Sequence, residues 1–225
     1  MALLDIYIND EFGTAHREYA IKKGITKFVE QKVAGFLMAK EQKFLGDKVS
    51  NAESAFVVIL GGAKVSDKIN VINNLLDKAD IMLIGGAMSY TFLAAIGNKV
   101  GSSLVEADKF SVATDAIKKA KELGVKLMLP IDHVVTSNFD KEKMVVGNVR
   151  TVDLDIPDRE VGIDIGPKTV ELYCKEISKA KTILWNGPMG VFEIKQASAG
   201  TFSVAEAIAK SGTMSIIGGE ILVKR

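Results

Sequence analysis

The sequence predicts an α/β fold: an open parallel sheet flanked by helices, Rossmann-like, in three α/β/α layers. Two observations predict it. Short apolar runs rich in β-branched residues alternate with stretches of helical apolar spacing, and that alternation builds parallel sheets with right-handed crossovers. Three of the runs end in Gly-Gly, at Gly61-Gly62, Gly85-Gly86 and Gly218-Gly219, and a fourth ends in Asn186-Gly187-Pro188. Ligands of open parallel sheets bind outside the carboxyl ends of the strands. Four glycine-rich exits at that edge point to one large ligand in close contact with backbone, a nucleotide or another phosphorylated molecule.

Along the chain, Asp5 to Asp10 alternates and reads as a strand. It runs into Glu11-Phe12-Gly13-Thr14-Ala15-His16-Arg17, a polar loop whose hydroxyl, imidazole and guanidinium suit a carboxylate or phosphate. Residues 21 to 48 carry helical spacing through Phe28, Val29, Val33, Phe36, Leu37 and Phe44, broken near Gly35, and read as a long helix able to connect two domains. Ala55 to Leu60 is a buried strand, and Ile69 to Leu76 the helix after it. Ile81 to Ile84 is a second strand, followed by helix through Met88 and Leu93. A lysine-laced helix spans about 106 to 123, and Val125 to Pro130 is a third strand. Asp132 and His133 then read as a loop aspartate and a hydrogen-bonded histidine. Residues 136 to 164 are weakly patterned, with short strands at Val145-Val146 and about 151 to 154. Gly166-Pro167 leads into a helix carrying Cys174, Thr182 to Trp185 is a fourth strand, about 201 to 210 a helix, and Met214 to Ile217 a fifth strand.

The strand at 55 to 60 exits into Gly61-Gly62-Ala63-Lys64-Val65-Ser66-Asp67-Lys68. Glycines let backbone approach a ligand, and a helix N-terminus offers free N–H groups to an anion. Lys64 and Lys68 are four apart, so on a helical turn they share a face and favour an anion between them. The other reading is a tight turn with two solvated lysines. Neither G-x-x-x-x-G-K-[ST] nor G-x-G-x-x-G is present.

Composition sets bounds. The 225 residues allow one large domain or two small ones. With 29 basic against 28 acidic residues the formal net charge is +1, which gives no support to a nucleic-acid partner. The single cysteine excludes an internal disulfide. The start lacks the basic region and apolar core of a signal peptide, and no apolar run of about 18 residues occurs, so a cytoplasmic protein without a membrane partner is expected.

Four motifs together resemble phosphoglycerate kinase: Asn9-Asp10-Glu11-Phe12-Gly13-Thr14-Ala15-His16-Arg17, Leu60-Gly61-Gly62-Ala63-Lys64-Val65-Ser66-Asp67-Lys68, Gly162-Ile163-Asp164-Ile165-Gly166-Pro167 and Trp185-Asn186-Gly187-Pro188-Met189-Gly190-Val191-Phe192-Glu193. Their order and spacing fit that family from Asp5 to Gly219. The resemblance implies two α/β domains joined by a hinge helix, one for 3-phosphoglycerate and one for Mg-ADP or Mg-ATP, in a family that is usually monomeric. It divides this chain into a remnant of the acid-binding domain at 1–20, the hinge helix region at 21–48 and an incomplete nucleotide-binding domain at 49–225.

By resemblance, His16 and Arg17 belong to the 3-phosphoglycerate loop, and Lys64 stabilises the moving phosphoryl group. Lys68 sits on the nucleotide phosphates. Gly61, Gly85 and Gly86 surround the adenosine, Gly162 and Ile163 form the adenine wall, and Asn186 with Gly187 lies at the phosphates. Glu193 takes the ribose hydroxyls, and Gly218 with Gly219 completes the nucleotide set. No metal ligand is assigned, because the family's magnesium-binding Asp after the last Gly-Gly is replaced by Glu220-Ile221-Leu222. The match to the family stops within one residue there. The expectations are a chain truncated at its C-terminus by a shift of reading frame or an assembly error near Gly218–Gly219, nucleotide binding, and no turnover by this chain alone. The alternatives are a non-catalytic nucleotide-binding module or an inactive gene product.

Overall fold

The structure, a computed structural model, describes residues 5–11, 20–42 and 52–218. His16, Arg17 and Gly219, with the residues after it, lie outside the described residues. The chain divides into two compact units, Met1–Asn51 and Ala52–Arg225.

In the first unit, strand β1 (Ile6–Asn9) pairs in parallel with β2 (Gln31–Ala34), Ile6 opposite Gln31. A π-helical turn at Ala20–Gly24 and a 3-10 turn at Ile25–Lys27 precede β2, and helix α1 (Phe36–Gln42) follows it. Before Gly35 this corrects the helix expected from 21 to 48 with its break near Gly35; after the break Phe36–Gln42 is helical, and residues 43–48 lie outside the described residues. The pattern there has helical spacing, but β1 offers a ladder, and β-branched Val33 suits a strand. Gly35 marks the change of element: its N–H donates to Asn9 O at 2.7 Å, and the Asp10 carboxylate accepts from Met38 N at 3.0 Å, starting α1. Phe28 and Phe36, expected on a helix's apolar face, are instead 80% and 96% exposed.

The second unit is the α/β fold that the sequence predicts. Strand β3 (Phe56–Leu60) leads to α2 (Ile69–Leu76), β4 (Ile81–Ile84), α3 (Met88–Ala95), α4 (Phe110–Glu122) and β5 (Lys126–Met128). Next come β6 (Asp132–Thr136), the hairpin strands β7 (Phe139–Asp140) and β8 (Val145–Val146), then β9 (Val149–Asp153) and β10 (Val161–Ile165). The last elements are α5 (Pro167–Ile177), β11 (Thr182–Asn186), α6 (Ala199–Ser211) and β12 (Met214–Gly218). The main sheet has the order β12-β11-β3-β4-β5, every neighbouring pair parallel.

Side chains alternate across that sheet. Val57, Ile59, Leu83, Ile183 and Trp185 face α5 and α6, where they pack with Ile165, Tyr173, Ile177, Val204 and Ile208. Phe56, Val58, Leu60, Met82 and Ile84 point to the opposite face and are equally buried. Chain direction sets this division. From β3 the sheet grows through β4 to β5, whereas β11 lies on the other flank of β3 and grows to β12. Right-handed crossovers running in opposite directions put their helices on opposite faces, and the reversal lies between β3 and β11.

The weakly patterned segment builds a second sheet, antiparallel, in the order β10-β6-β9. Asp132 and His133 are therefore strand residues, not loop residues, and both are fully buried. The Asp132 carboxylate crosses to the start of α5, accepting from Thr169 N at 2.8 Å, Thr169 Oγ1 at 2.6 Å and Lys168 N at 2.9 Å. Asp164 of β10 does the same for α6, accepting from Gly200 N at 2.7 Å. Two buried aspartates of this sheet thus cap the two helices on one face of the main sheet. Among the described residues, no helix is long and apolar enough to cross a membrane.

Candidate functional site

The point where the sheet order reverses is where three strand exits are tied together. Gly61 N donates to Asn186 O at 3.0 Å, and Gly62 N to Pro188 O at 3.1 Å. Gly85 N donates to Leu60 O at 2.8 Å, Gly86 N to Met189 O at 2.9 Å, and Met88 N to Gly62 O at 3.0 Å. Packing this close requires glycine. A β-carbon on Gly61 would strike the Pro188 carbonyl, and Gly86 adopts the left-handed φ of +66°.

Over these exits opens a cleft of about 280 Å³. Of the residues named from sequence, Gly86, Gly162, Ile163 and Glu193 line it. Gly61, Gly85, Asn186 and Gly187 do not line it; they form the hydrogen-bonded exits. Gly162 arrives from β10 of the antiparallel sheet rather than from the parallel edge, with its N–H held by Ser103 Oγ at 2.9 Å. There it lies so near Tyr90 that a side chain would meet the tyrosine ring. Tyr90, Met144, Met189 and Val191 also line the cleft; Met189 and Val191 belong to the fourth motif, but none of the four was assigned a role from sequence. The apolar spacing of α3 held the only sequence signal for Tyr90. A larger hollow, about 1060 Å³, adjoins the cleft and shares Ala63, Ala87, Met144, Gly162 and Val191 with it.

The lysines are arranged differently from the sequence expectation. α2 starts at Ile69, with Lys68 at its N-cap, and Lys64 lies exposed in the preceding loop. The two do not share a helical turn, because the chain needs residues 61 to 68 to pass from the glycine exit to the helix. The Lys68 ammonium donates to Asn186 Oδ1, joining the β3 exit to the β11 exit. Lys68 is half-buried, and this desolvation lowers its pKa, opposed by the neighbouring Asp67 charge. Gly218 ends β12 opposite Asn186, 3.6 Å from its Nδ2 by the position a β-carbon would take. Among the described residues, no three His, Cys, Asp or Glu side chains stand together as a group able to hold a metal ion.

Behind the cleft lie two buried groups with displaced pKa values. Burial pushes the Asp164 carboxyl up to about 7, against the N–H donors of Gly200 and Ile165. Burial pushes the His133 imidazole down to about 4, against the charge of Asp132. Its ring centroid is 5.4 Å from that of Tyr90, and the Leu154 backbone, like the Asp132 charge, favours the protonated ring against that burial.

The two groups oppose each other in the pH dependence of stability. For His133, the unfolded chain holds a proton below 6.5 that the folded chain holds only below about 4, so stability rises with pH across that interval. For Asp164, the folded chain keeps a proton up to about 7 that the unfolded chain releases above 3.8, so stability falls with pH. Stability is therefore expected to be nearly flat from about pH 5 to 6.5. Asp164→Asn removes the falling component, and its stability is expected to rise on the order of 2 kcal/mol over that interval. Urea unfolding at stepped pH checks this; a variant as flat as the parent would refute it.

Comparison with known proteins bears on the whole chain. The phosphoglycerate kinase family model matches residues 1–224. Phosphoglycerate kinases of Clostridium botulinum (strain Hall) and Clostridium tetani are each 53% identical, over 218 and 220 residues, covering 97% of this chain and 54% of theirs. The structure of phosphoglycerate kinase from Coxiella burnetii matches with a TM-score of 0.85 at 38% identity, covering 97% of this chain and 56% of that one. The enzyme from Pyrococcus horikoshii OT3 matches at 0.76 and 34% identity, covering 96% and 54%. The chain thus spans about half the length of the relatives it matches. A match over nearly all of its residues, joined to the same fold, means that the chain belongs to the phosphoglycerate kinase family.

Proposed function

We propose that this chain carries the nucleotide side of phosphoglycerate kinase chemistry, binding ADP or ATP in the cleft at the β3–β11 reversal. The observation that carries the reading is the glycine-backed cleft itself, together with the Lys68–Asn186 pair that joins the β3 and β11 exits. Adenine fits between the backbone of Gly86 and that of Gly162 and Ile163. The Glu193 carboxylate accepts from the ribose hydroxyls. Lys68 meets the phosphates, and Lys64 neutralises charge on the phosphoryl group in flight. In the family reaction the γ-phosphorus of ATP is attacked by a carboxylate oxygen of 3-phosphoglycerate; the bond to the β-phosphate oxygen breaks, and ADP and 1,3-bisphosphoglycerate result. Such transfer rests on positioning and charge neutralisation rather than covalent help from the protein. His16 and Arg17 are proposed to meet the acid. The family's cytoplasmic, glycolytic and monomeric setting is proposed with it. No step is assigned to magnesium.

Calorimetric titration tests the reading. The 225-residue chain is expected to bind ADP with little dependence on magnesium, and Lys68→Ala to weaken binding about tenfold. A coupled assay with ATP and 3-phosphoglycerate is expected to show no turnover by this chain alone. Its length is about half that of its relatives, and positioning of the acceptor is worth about 7–11 kcal/mol of barrier. Absence of ADP binding at millimolar concentration would overturn the proposal.

A further inference from the structure

The loop between β3 and α2 presents both lysines; it is tied at Gly61 and Gly62 at one end and at Lys68 at the other, and between those ends it is held at Val65 and Ser66. Val65 buries its side chain completely. Next to it, Ser66 is gripped by one carboxylate from a distant part of the unit: Glu106 Oε2 accepts from Ser66 N at 3.1 Å, and Glu106 Oε1 from Ser66 Oγ at 2.6 Å. The Val65 N–H is a further donor to the same group. Glu106 is itself fixed. Its N–H donates to Thr91 Oγ1 at 3.1 Å, and Thr91 is buried in α3, next in sequence to the cleft residue Tyr90. Its carboxyl is held below the ordinary glutamate range; partial desolvation opposes ionisation, and the bonds from Ser66 and Val65 outweigh it.

A chain of contacts therefore runs from the helix behind the glycine cleft, through Glu106, to the centre of the lysine loop. Lys64 precedes Ser66 by two residues and Lys68 follows it by two. We propose that Glu106 is a positioning residue for the phosphate end of the nucleotide site. It touches no ligand, and it holds the Lys64–Lys68 loop at the height where the ammonium groups meet the phosphates. This rests on the nucleotide reading above. The electrostatics make the effect distinctive. Removing a carboxylate near a phosphate site should by itself strengthen anion binding, so a weakening reports lost positioning rather than lost charge.

The experiment is calorimetric titration of the full 225-residue chain with two probes, ADP and adenosine, in the parent, Glu106→Ala and Ser66→Ala. Glu106→Ala is expected to weaken ADP about tenfold while adenosine affinity stays within about twofold, because adenosine has no phosphate for the loop to meet. Ser66→Ala, which keeps the backbone donors, is expected to show the same selectivity at a smaller size. Equal losses for ADP and adenosine would mean that Glu106 merely supports the fold, and unchanged ADP affinity in both variants would mean that the loop holds itself; either result overturns the inference alone. If the parent binds neither probe, the nucleotide reading falls and this inference falls with it.

Discussion

Asp132→Ala is expected to cost about 4 kcal/mol of stability, read as a fall in the urea midpoint at unchanged slope. The carboxylate is fully buried and accepts three hydrogen bonds, two from the first-turn N–H groups of α5 and one from the Thr169 hydroxyl. A lost cap costs about 1 kcal/mol, and a negative charge at a partly buried helix N-terminus contributes up to about 2. The Thr169 N–H left behind is buried with no acceptor, at about 1–3 kcal/mol. Asp132→Asn keeps an acceptor in place, and its loss is expected to be about half as large. An alanine variant within about 1 kcal/mol of the parent would show that water or a neighbour replaces the cap.

The second large effect is expected at Gly86. Gly86→Ala should destabilise the chain by about 3 kcal/mol and remove ADP binding. The left-handed φ of +66° costs a side-chain-bearing residue about 1–2 kcal/mol. Its β-carbon would also lie 2.5 Å from Gly62 N and Gly62 O and 2.9 Å from the Pro188 carbonyl. All are backbone atoms, held by the same bonds that tie the exits together, so relief requires pulling the loops apart. Gly97→Ala is the control. That residue has φ of +95° with open space around it, so it should lose stability from backbone strain alone and leave ADP affinity unchanged. Thermal unfolding and titration of the two variants side by side decide the matter; equal ADP binding by both would refute it.

What was legible in the sequence was local. Runs such as Phe56–Leu60 and Thr182–Trp185 announce buried strands by composition, and the glycines after them announce close approach. The parallel sheet and the glycine exits therefore follow from residues read a few at a time. What was missed depends on partners far along the chain. β6 and β10 carry Asp132, His133 and Asp164, polar residues that argue against a strand when read alone. Their acceptors and donors meet across 37 residues for Thr169 and 36 for Gly200. The same holds for Tyr90 and Gly162, which meet in the cleft although one comes from a helix and the other from a different sheet. Over residues 31 to 34 the expected helix gave way for the opposite reason: its local pattern was sound, but β1 supplied a pairing partner that the pattern does not encode.

The reversal of strand order between β3 and β11 has a consequence for the birth of the protein. Translation delivers β3, β4 and β5 in the order in which they pair, so this half of the sheet can assemble as it leaves the ribosome. The neighbour on the other side of β3 comes about 50 residues after β5, a delay on the order of seconds at ordinary elongation rates. For that interval a strand apolar throughout, Phe56–Leu60, with β-branched Val57, Val58 and Ile59, presents an open edge. A chaperone that recognises extended apolar segments would meet its target there, at Phe56–Leu60, in a window that closes when Thr182–Asn186 emerges.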